Sequence, residues 1–345
     1  MIRIITILLC IPILIESQDI HFSQFYNAPM KLNPANTGAF DGDLRVISNY
    51  KNQWASIESP FKTYGFSADL QAFKYKWKNN YLGIGLGVFS DKAGDLGLGS
   101  TQTDLSVSSI LELNPDLTMS VGIQAVYMQF NMDYSSARTG NQFTGSSYNS
   151  NIATGEANLF NPFSIVDVGT GVSWNYAVGE NNIASKDMFI INCGFAFFHL
   201  NRSELNFINS DRLYPRIVAH GNSNIGLRNS KLSIMPSYLF MLQGPQKELL
   251  LGSMFRLYLR EESRYTGVIS EASLIVGAHY RVGDAIIPSF AIDFGDYLFQ
   301  ISYDINSSYL TRSTNGRGGF EFTLRYRNPE LFALGSASSI KPKFM

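Results

Sequence analysis

"FQISYDI", residues Phe299 to Ile305, sets the apolar Phe299, Ile301, Tyr303 and Ile305 against the polar Gln300, Ser302 and Asp304. Strict alternation is the period of an extended strand, whose successive side chains leave on opposite faces. The same pattern recurs along the chain. Phe322, Leu324 and Tyr326 alternate with Glu321, Thr323, Arg325 and Arg327, and Phe290, Ile292 and Phe294 alternate with Ala291 and Asp293. Tyr64, Phe66, Ala68, Leu70 and Ala72 interleave with Gly65, Ser67, Asp69 and Gln71, while Leu82, Ile84, Leu86 and Val88 interleave with Gly83, Gly85 and Gly87. Strand signals of this kind give about fourteen segments. Their centres lie near Ile47, Ala68, Gly85, Val107, Ile123, Gly169, Cys193, Ala219, Met235, Phe255, Ile275, Phe290, Ile301 and Phe322, and no segment carries a useful helical period.

Two architectures fit such two-faced strands. A soluble, exported β-sandwich or propeller turns the apolar face inward. An outer-membrane barrel turns it outward to lipid and lines its interior with the polar face. Charged residues make up 16% of the 345 residues, against about 25% in soluble domains, and aromatics reach 13%. A strand face in water would carry more Lys and Glu. Strands of about ten residues suit a tilted bilayer crossing, and only a closed barrel leaves no unpaired edge there. Connections after odd-numbered strands come out mostly long. Those after even-numbered strands come out short, with tight turns at "NPD", Asn114 to Asp116, and at Gly295 and Asp296; "VGD", Val282 to Asp284, runs against the trend. The expectation is an all-β, antiparallel, transmembrane outer-membrane β-barrel of about fourteen strands over residues 43–327, with long outer loops. Net charge is −1, which points to no nucleic-acid partner.

The ends read differently. Arg3 precedes a run from Ile4 to Ile15 that is apolar apart from Thr6, and Ser17 is a small residue before Gln18. Residues 1–17 are therefore expected to be a signal peptide, too short to span a bilayer. A lipoprotein reading through Cys10 is weak, because Cys10 lies inside the apolar run. Removal of this segment leaves Cys193 alone and excludes an intrachain disulfide. Export to the outer membrane with periplasmic termini follows. Residues 18–42 open with "QDIHFSQFYNAPMKLNPANTGAF", whose apolar residues follow no period and whose Pro29 and Pro34 interrupt any helix. A fourteen-stranded barrel is too wide for short side chains to fill, so this segment is expected to fold into the lumen from the periplasmic mouth. A periplasmic tail without fixed structure is the alternative. "NPANTG" reads as a turn set by Pro34 and Gly38, leading into the first strand. Residues 131–162, rich in Ser, Asn and Gly, are expected at the cell surface, and residues 328–345 form a tail.

Candidate chemistry is sparse. His21, His199, His220 and His279 are scattered without zinc-ligand spacing. "GIGLG" from Gly83 has no helix after it, so its glycines are read as leaving interior space or allowing a bend. "DKAGDLGLGS" from Asp91 lacks EF-hand spacing and reads as a turn. "FKYKWKNN" from Phe73 places aromatics and lysines at a membrane boundary, although Phe73, Tyr75 and Trp77 have the wrong parity for the apolar face and need a bulge or strand end before them. A phospholipase built around His199 lacks a placeable serine and acid. No catalytic residue, metal or cofactor is expected.

The opening segment, with Gln24, Tyr26, Asn33, Pro34, Ala35 and Gly38, carries a more specific signal. It continues in "YKNQW", ending at Trp54, and "FKTYGFSAD", ending at Asp69. Near the end stand "YDINSSYL", with Asp304, and "GFEFTLRY", with Glu321. In these residues the chain resembles the PorP/SprF family of the Bacteroidota type IX secretion system over most of its mature length. The resemblance implies a non-enzymatic outer-membrane barrel that works with secretion and gliding machinery proteins. It implies secretion or surface anchoring of a partner, a large secreted surface protein, and no active-site residues. A barrel transporting small solutes, porin-like or for hydrophobic compounds, is the alternative function.

Overall fold

The computed structural model describes residues 19–53, 60–74, 76, 77, 80–94, 97–132, 138–153, 155, 161–179, 181, 182, 185, 186, 188–206, 210–260, 271–308 and 311–329. The expected signal peptide and most of the tail lie outside them. Fourteen strands form one closed antiparallel barrel: β1 (Leu44–Gln53), β2 (Phe61–Ala72), β3 (Asn80–Ala93), β4 (Leu98–Asn114), β5 (Leu117–Asn131), β6 (Phe163–Val178) and β7 (Phe189–Phe198), then β8 (Arg216–Gly226), β9 (Leu232–Gln243), β10 (Gln246–Arg260), β11 (Ala272–Arg281), β12 (Ala285–Phe294), β13 (Tyr297–Asn306) and β14 (Arg317–Asn328). Each strand pairs with its sequence neighbours. The ring closes where β1 meets β14, from Leu44 opposite Asn328 to Gln53 opposite Gly319. All fourteen strand centres expected from the alternation fall inside separate strands.

Alternation becomes a division between two media. Phe66, Leu86, Leu105, Ile123, Val166, Phe195 and Phe299 point outward and are exposed, Ile123 most of all at 63%. Their neighbours Ser67, Asp104, Ser106, Gln124, Asp167 and Gln300 are buried in the lumen. An apolar outer belt over a polar interior is the reverse of a water-soluble sandwich and suits hydrocarbon outside. Among the described residues no helix is long and apolar enough to cross a membrane. The lumen is not uniformly polar, however. Val218, Leu239, Leu250 and Ile287, on β8, β9, β10 and β12, face inward and pack with Phe25 and Leu32 of the N-terminal segment. The physical reason is a matched filler, which removes that part of the wall from water.

The chain leaves two unlike mouths. At the terminal mouth, where β1 begins and β14 ends, the turns at residues 115–116 and 295–296 are tight. At the far mouth the connections 132–162 and 199–215 are long, and 244–245 and 282–284 are short. The loop asymmetry therefore rests on two connections. Within the longer loop, a 3-10 turn at Gly140–Gln142 carries a capping box from Thr139, and Gln142 donates to the Ile152 carbonyl at 3.0 Å. β2 ends at Ala72, and Phe73 follows with φ +64°, a left-handed residue that resets the parity. Phe73 then stacks on Trp77 at 5.0 Å, both exposed at the terminal mouth.

Arginine in place of Ile123, near the middle of β5, would set a charge against lipid at a cost of about 2–4 kcal/mol. The Ile123→Arg chain is expected to lose the heat-modifiable band of a folded barrel on semi-native gels, whereas Phe143→Arg in the far-mouth loop keeps it.

Candidate functional site: a peptide threaded through the lumen

The N-terminal segment runs the length of the barrel. Asp19 meets His199 and Arg216, which stand just after β7 and at the start of β8 at the far mouth. The first described residue therefore lies opposite the end of β14, and not beside it as the expectation of two periplasmic termini had it. At the other end the Asp43 N–H donates to the Asn328 carbonyl, the last residue of β14, at 2.8 Å. Between them the chain folds into a 3-10 turn (Phe25–Asn27), one helical turn (Pro29–Leu32) and a second 3-10 turn (Pro34–Asn36). Pro29 and Pro34 sit at the starts of the last two, where a missing N–H and a fixed φ do no harm. Asn33 caps the third turn, its side chain accepting from the Ala35 N–H at 2.9 Å. Gly38, at φ +71°, makes the bend that leads toward β1. The expected turn at "NPANTG" is thus two linked devices, a cap and a left-handed glycine.

The wall is carved to fit. A Cβ on Gly83 would overlap the Thr37 carbonyl, and one on Gly85 would overlap Met30. On Gly122 it would strike Pro34 and Ala35, and on Gly171 and Gly194 it would strike the Asn33 side chain. Lumen-facing glycines on β3, β5, β6 and β7 therefore form a trough for the segment, a role that the alternating "GIGLG" signalled only as interior space.

Polar contacts then hold every turn. The Glu321 carboxylate accepts the Ser23 and Gln24 N–H groups at 2.8 and 3.0 Å, and Gln24 donates to Ser302 at 2.9 Å. Asp304 accepts from Ser23 and from Arg281 Nη1, the latter at 2.9 Å, while Arg281 Nη2 donates to Ser23 at 2.6 Å. Asp69 accepts the Gly38 N–H at 2.8 Å and grips Arg45 in a two-point pair of 2.9 and 2.6 Å; Arg45 also donates to the Asn36 carbonyl. Gln71 donates to the Gly38 and Phe40 carbonyls. Asn33 Nδ2 donates to the Val172 carbonyl at 3.0 Å and lies 3.0 Å from His220 Nε2. The segment also straddles the β1–β14 seam. Asn49 on β1 donates to the Asn27 carbonyl and to Thr323 on β14, and Lys51 on β1 stands 3.4 Å from Glu321.

At the far end Asp19 lies 2.5 Å from His199 Nε2 and 2.9 Å from Arg216 Nη1, and His199 Nδ1 lies 2.9 Å from Asp167. Both ring nitrogens of His199 thus face carboxylates. Burial opposes the charge on Asp19, but His199 and Arg216 hold its carboxyl well below the usual range. Burial likewise opposes the imidazolium of His199, and Asp19 and Asp167 raise it to about 9.

Of the residues singled out in the sequence, Gln24, Tyr26, Asn33, Pro34, Ala35 and Gly38 lie in the threaded segment, and Asp69, Asp304 and Glu321 lie on the wall against it. Tyr26 accepts from Gln300 at 2.5 Å. Trp54 falls outside the described residues. Missed were Arg45, Lys51, Gln71, Arg281 and the glycine trough. Polar or glycine residues on the lumen face of strands beside a period-less N-terminus were the available signal.

Two measurements check the arrangement. Gly122→Val should expel the Pro34 turn and raise single-channel conductance in planar bilayers, while Gly140→Ala, with open space around it, leaves conductance unchanged. The Asp19–His199 contact also sets a pH window. A raised histidine pKa stabilises below its ordinary value of 6.5 and loses its effect as pH climbs through about 9; a depressed aspartate stabilises above 3.8 and loses its effect as pH falls. Protease protection of the segment should therefore be greatest between those limits, and His199→Gln should abolish the alkaline transition.

Residues 14–326 match the family model described as type IX secretion system membrane protein PorP/SprF. The search of curated proteins returned no match. Among solved structures, the translocator domain of the autotransporter NalP from Neisseria meningitidis is similar at 9% identity and a TM-score of 0.39, over 88% of this chain and 94% of that one. BamA from Haemophilus ducreyi lacking POTRA domains 1–3 shares 10% identity at a TM-score of 0.41, over 83% and 70%. A Pseudomonas aeruginosa FadL homologue shares 8% at 0.41, over 85% and 92%. Likeness at that level carries no functional argument. The family match spans nearly the whole barrel, threaded segment and strands together, and the chain belongs to the PorP/SprF family of type IX secretion system membrane proteins of the outer membrane.

Proposed function

We propose that this chain is a non-enzymatic component of the type IX secretion and gliding machinery that assists secretion or surface anchoring of one partner, a large secreted surface protein. The observation that carries the reading is the threaded segment. A lumen threaded by backbone that the wall hydrogen-bonds along its length is obstructed, which leaves its two mouths and its loops as the working surfaces. The terminal mouth faces the periplasm, where the other machinery proteins stand. The far mouth faces outward and presents the 132–162 loop, with Phe143 and Tyr148 exposed. Residues Gln24, Tyr26, Asn33, Pro34, Ala35, Gly38, Asp69, Asp304 and Glu321 act in this reading as the fastening of the filler.

Deleting the gene should remove one surface protein from the outer-membrane proteome and leave it in the periplasm, with restoration by the intact chain. A surface proteome unaltered by the deletion would sink the proposal. Passage of small solutes into liposomes carrying the intact chain would revive the transport alternative.

A further inference from the structure

A cavity of about 310 Å³ lies between the threaded segment and the terminal mouth, on the side of the later strands. Its charges are unlike those of the outer half. Four arginines, Arg45, Arg256, Arg325 and Arg327, line it against three carboxylates, Asp41, Glu271 and Asp293. Arg45 is committed to Asp69. Arg256 and Arg325 both turn to Asp293 but stand 3.4 and 3.9 Å from it. Charge-assisted hydrogen bonds are shorter, about 2.7–2.9 Å, and the Arg281–Asp304 pair higher in the lumen reaches 2.9 Å. The Arg256 Nε is buried without a hydrogen-bond partner. Two guanidiniums thus share one distant carboxylate on the cavity wall, and Arg256 also lies over the Tyr258 ring.

The rest of the lining sets the size and kind of guest. Met188, Met235 and Met254 supply adaptable apolar surface, and Asn224 and Ser273 supply polar groups. The volume sits in the range of about 300–1,000 Å³ usual for ligand pockets, more than one small anion needs. We propose that this cavity receives an acidic peptide segment of a periplasmic partner protein. A carboxylate side chain docks between Arg256 and Arg325, where planar guanidiniums match it with paired donors, and an aliphatic neighbour lies on Met235 and Met254. Arg327 at the rim attracts the segment on approach. The inference takes only its periplasmic orientation from the function proposed above.

The test uses the full chain in detergent and a fluorescein-labelled peptide, Glu-Leu-Glu-Leu-Glu, beside its Gln-Leu-Gln-Leu-Gln counterpart, read by anisotropy. The acidic peptide should bind with an affinity that falls as salt rises, and the neutral one should not. The double variant R256Q/R325Q should weaken binding about tenfold or more. Met235→Trp fills the space with the charges intact and should give a similar loss, so the test survives a double variant that fails to fold. Equal binding of both peptides, or unchanged binding in a folded variant, overturns the proposal. Complete displacement by millimolar inorganic phosphate would mark a small-anion site instead. Tighter binding after removal of residues 330–345 would assign the cavity to the chain's own tail. No secretion protein is present in this assay, so its failure leaves the gene-deletion test of the proposed function untouched.

Discussion

Irregular backbone at membrane depth has no water to satisfy it, and every N–H and C=O that is not in a sheet must find a partner in protein. That constraint shapes the barrel interior more than any single ion pair does. The wall meets it with side chains at fixed heights: Glu321 for two successive N–H groups, Asp69 for the bend at Gly38, Gln71 for two carbonyls beyond it. Those acceptors are charges, and buried charges in turn require partners, because removal of one member of a buried pair costs about 3–5 kcal/mol. Arg45, Arg281 and Lys51 supply them. The polar lumen is therefore a consequence of what it holds.

The barrel itself was legible because its signal is local. Period-two alternation needs only neighbouring residues, and lipid outside reverses nothing in the pattern except which face is wet. The threaded segment was legible only in outline. Phe22, Phe25 and Met30 announce that they need burial, yet nothing in their own sequence tells which strands receive them. Asn33 reaches Val172 and His220, and Ser23 reaches Asp304, across separations of more than a hundred residues. Gly122 and Gly171 look like ordinary weak strand positions until Pro34 and Asn33 are seen against them. The apolar inward face of β8 to β12 escaped for the same reason, since a rule that inward means polar omits a filler with its own greasy side.

The two halves of the lumen also differ in how far their charges are spent. Around Asp19, His199, Ser23 and Arg281 the closest contacts run from 2.5 to 2.9 Å, although Arg281 Nε stands 3.6 Å from Glu248. Near the terminal mouth the arginines are loosely satisfied beside a cavity. Such loosely paired ground beside a cavity is where recognition of another molecule costs least.

The seam between the first and last strands carries one further consequence. Glu321 on β14 and Asn49 on β1 both bind the segment, so its seat is complete only when those two strands lie side by side. A half-assembled sheet offers one jaw of the vice and lacks the other. A fully seated segment is therefore a mark of a closed cylinder, because the contacts of Glu321 and Asn49 come together only across the joined seam.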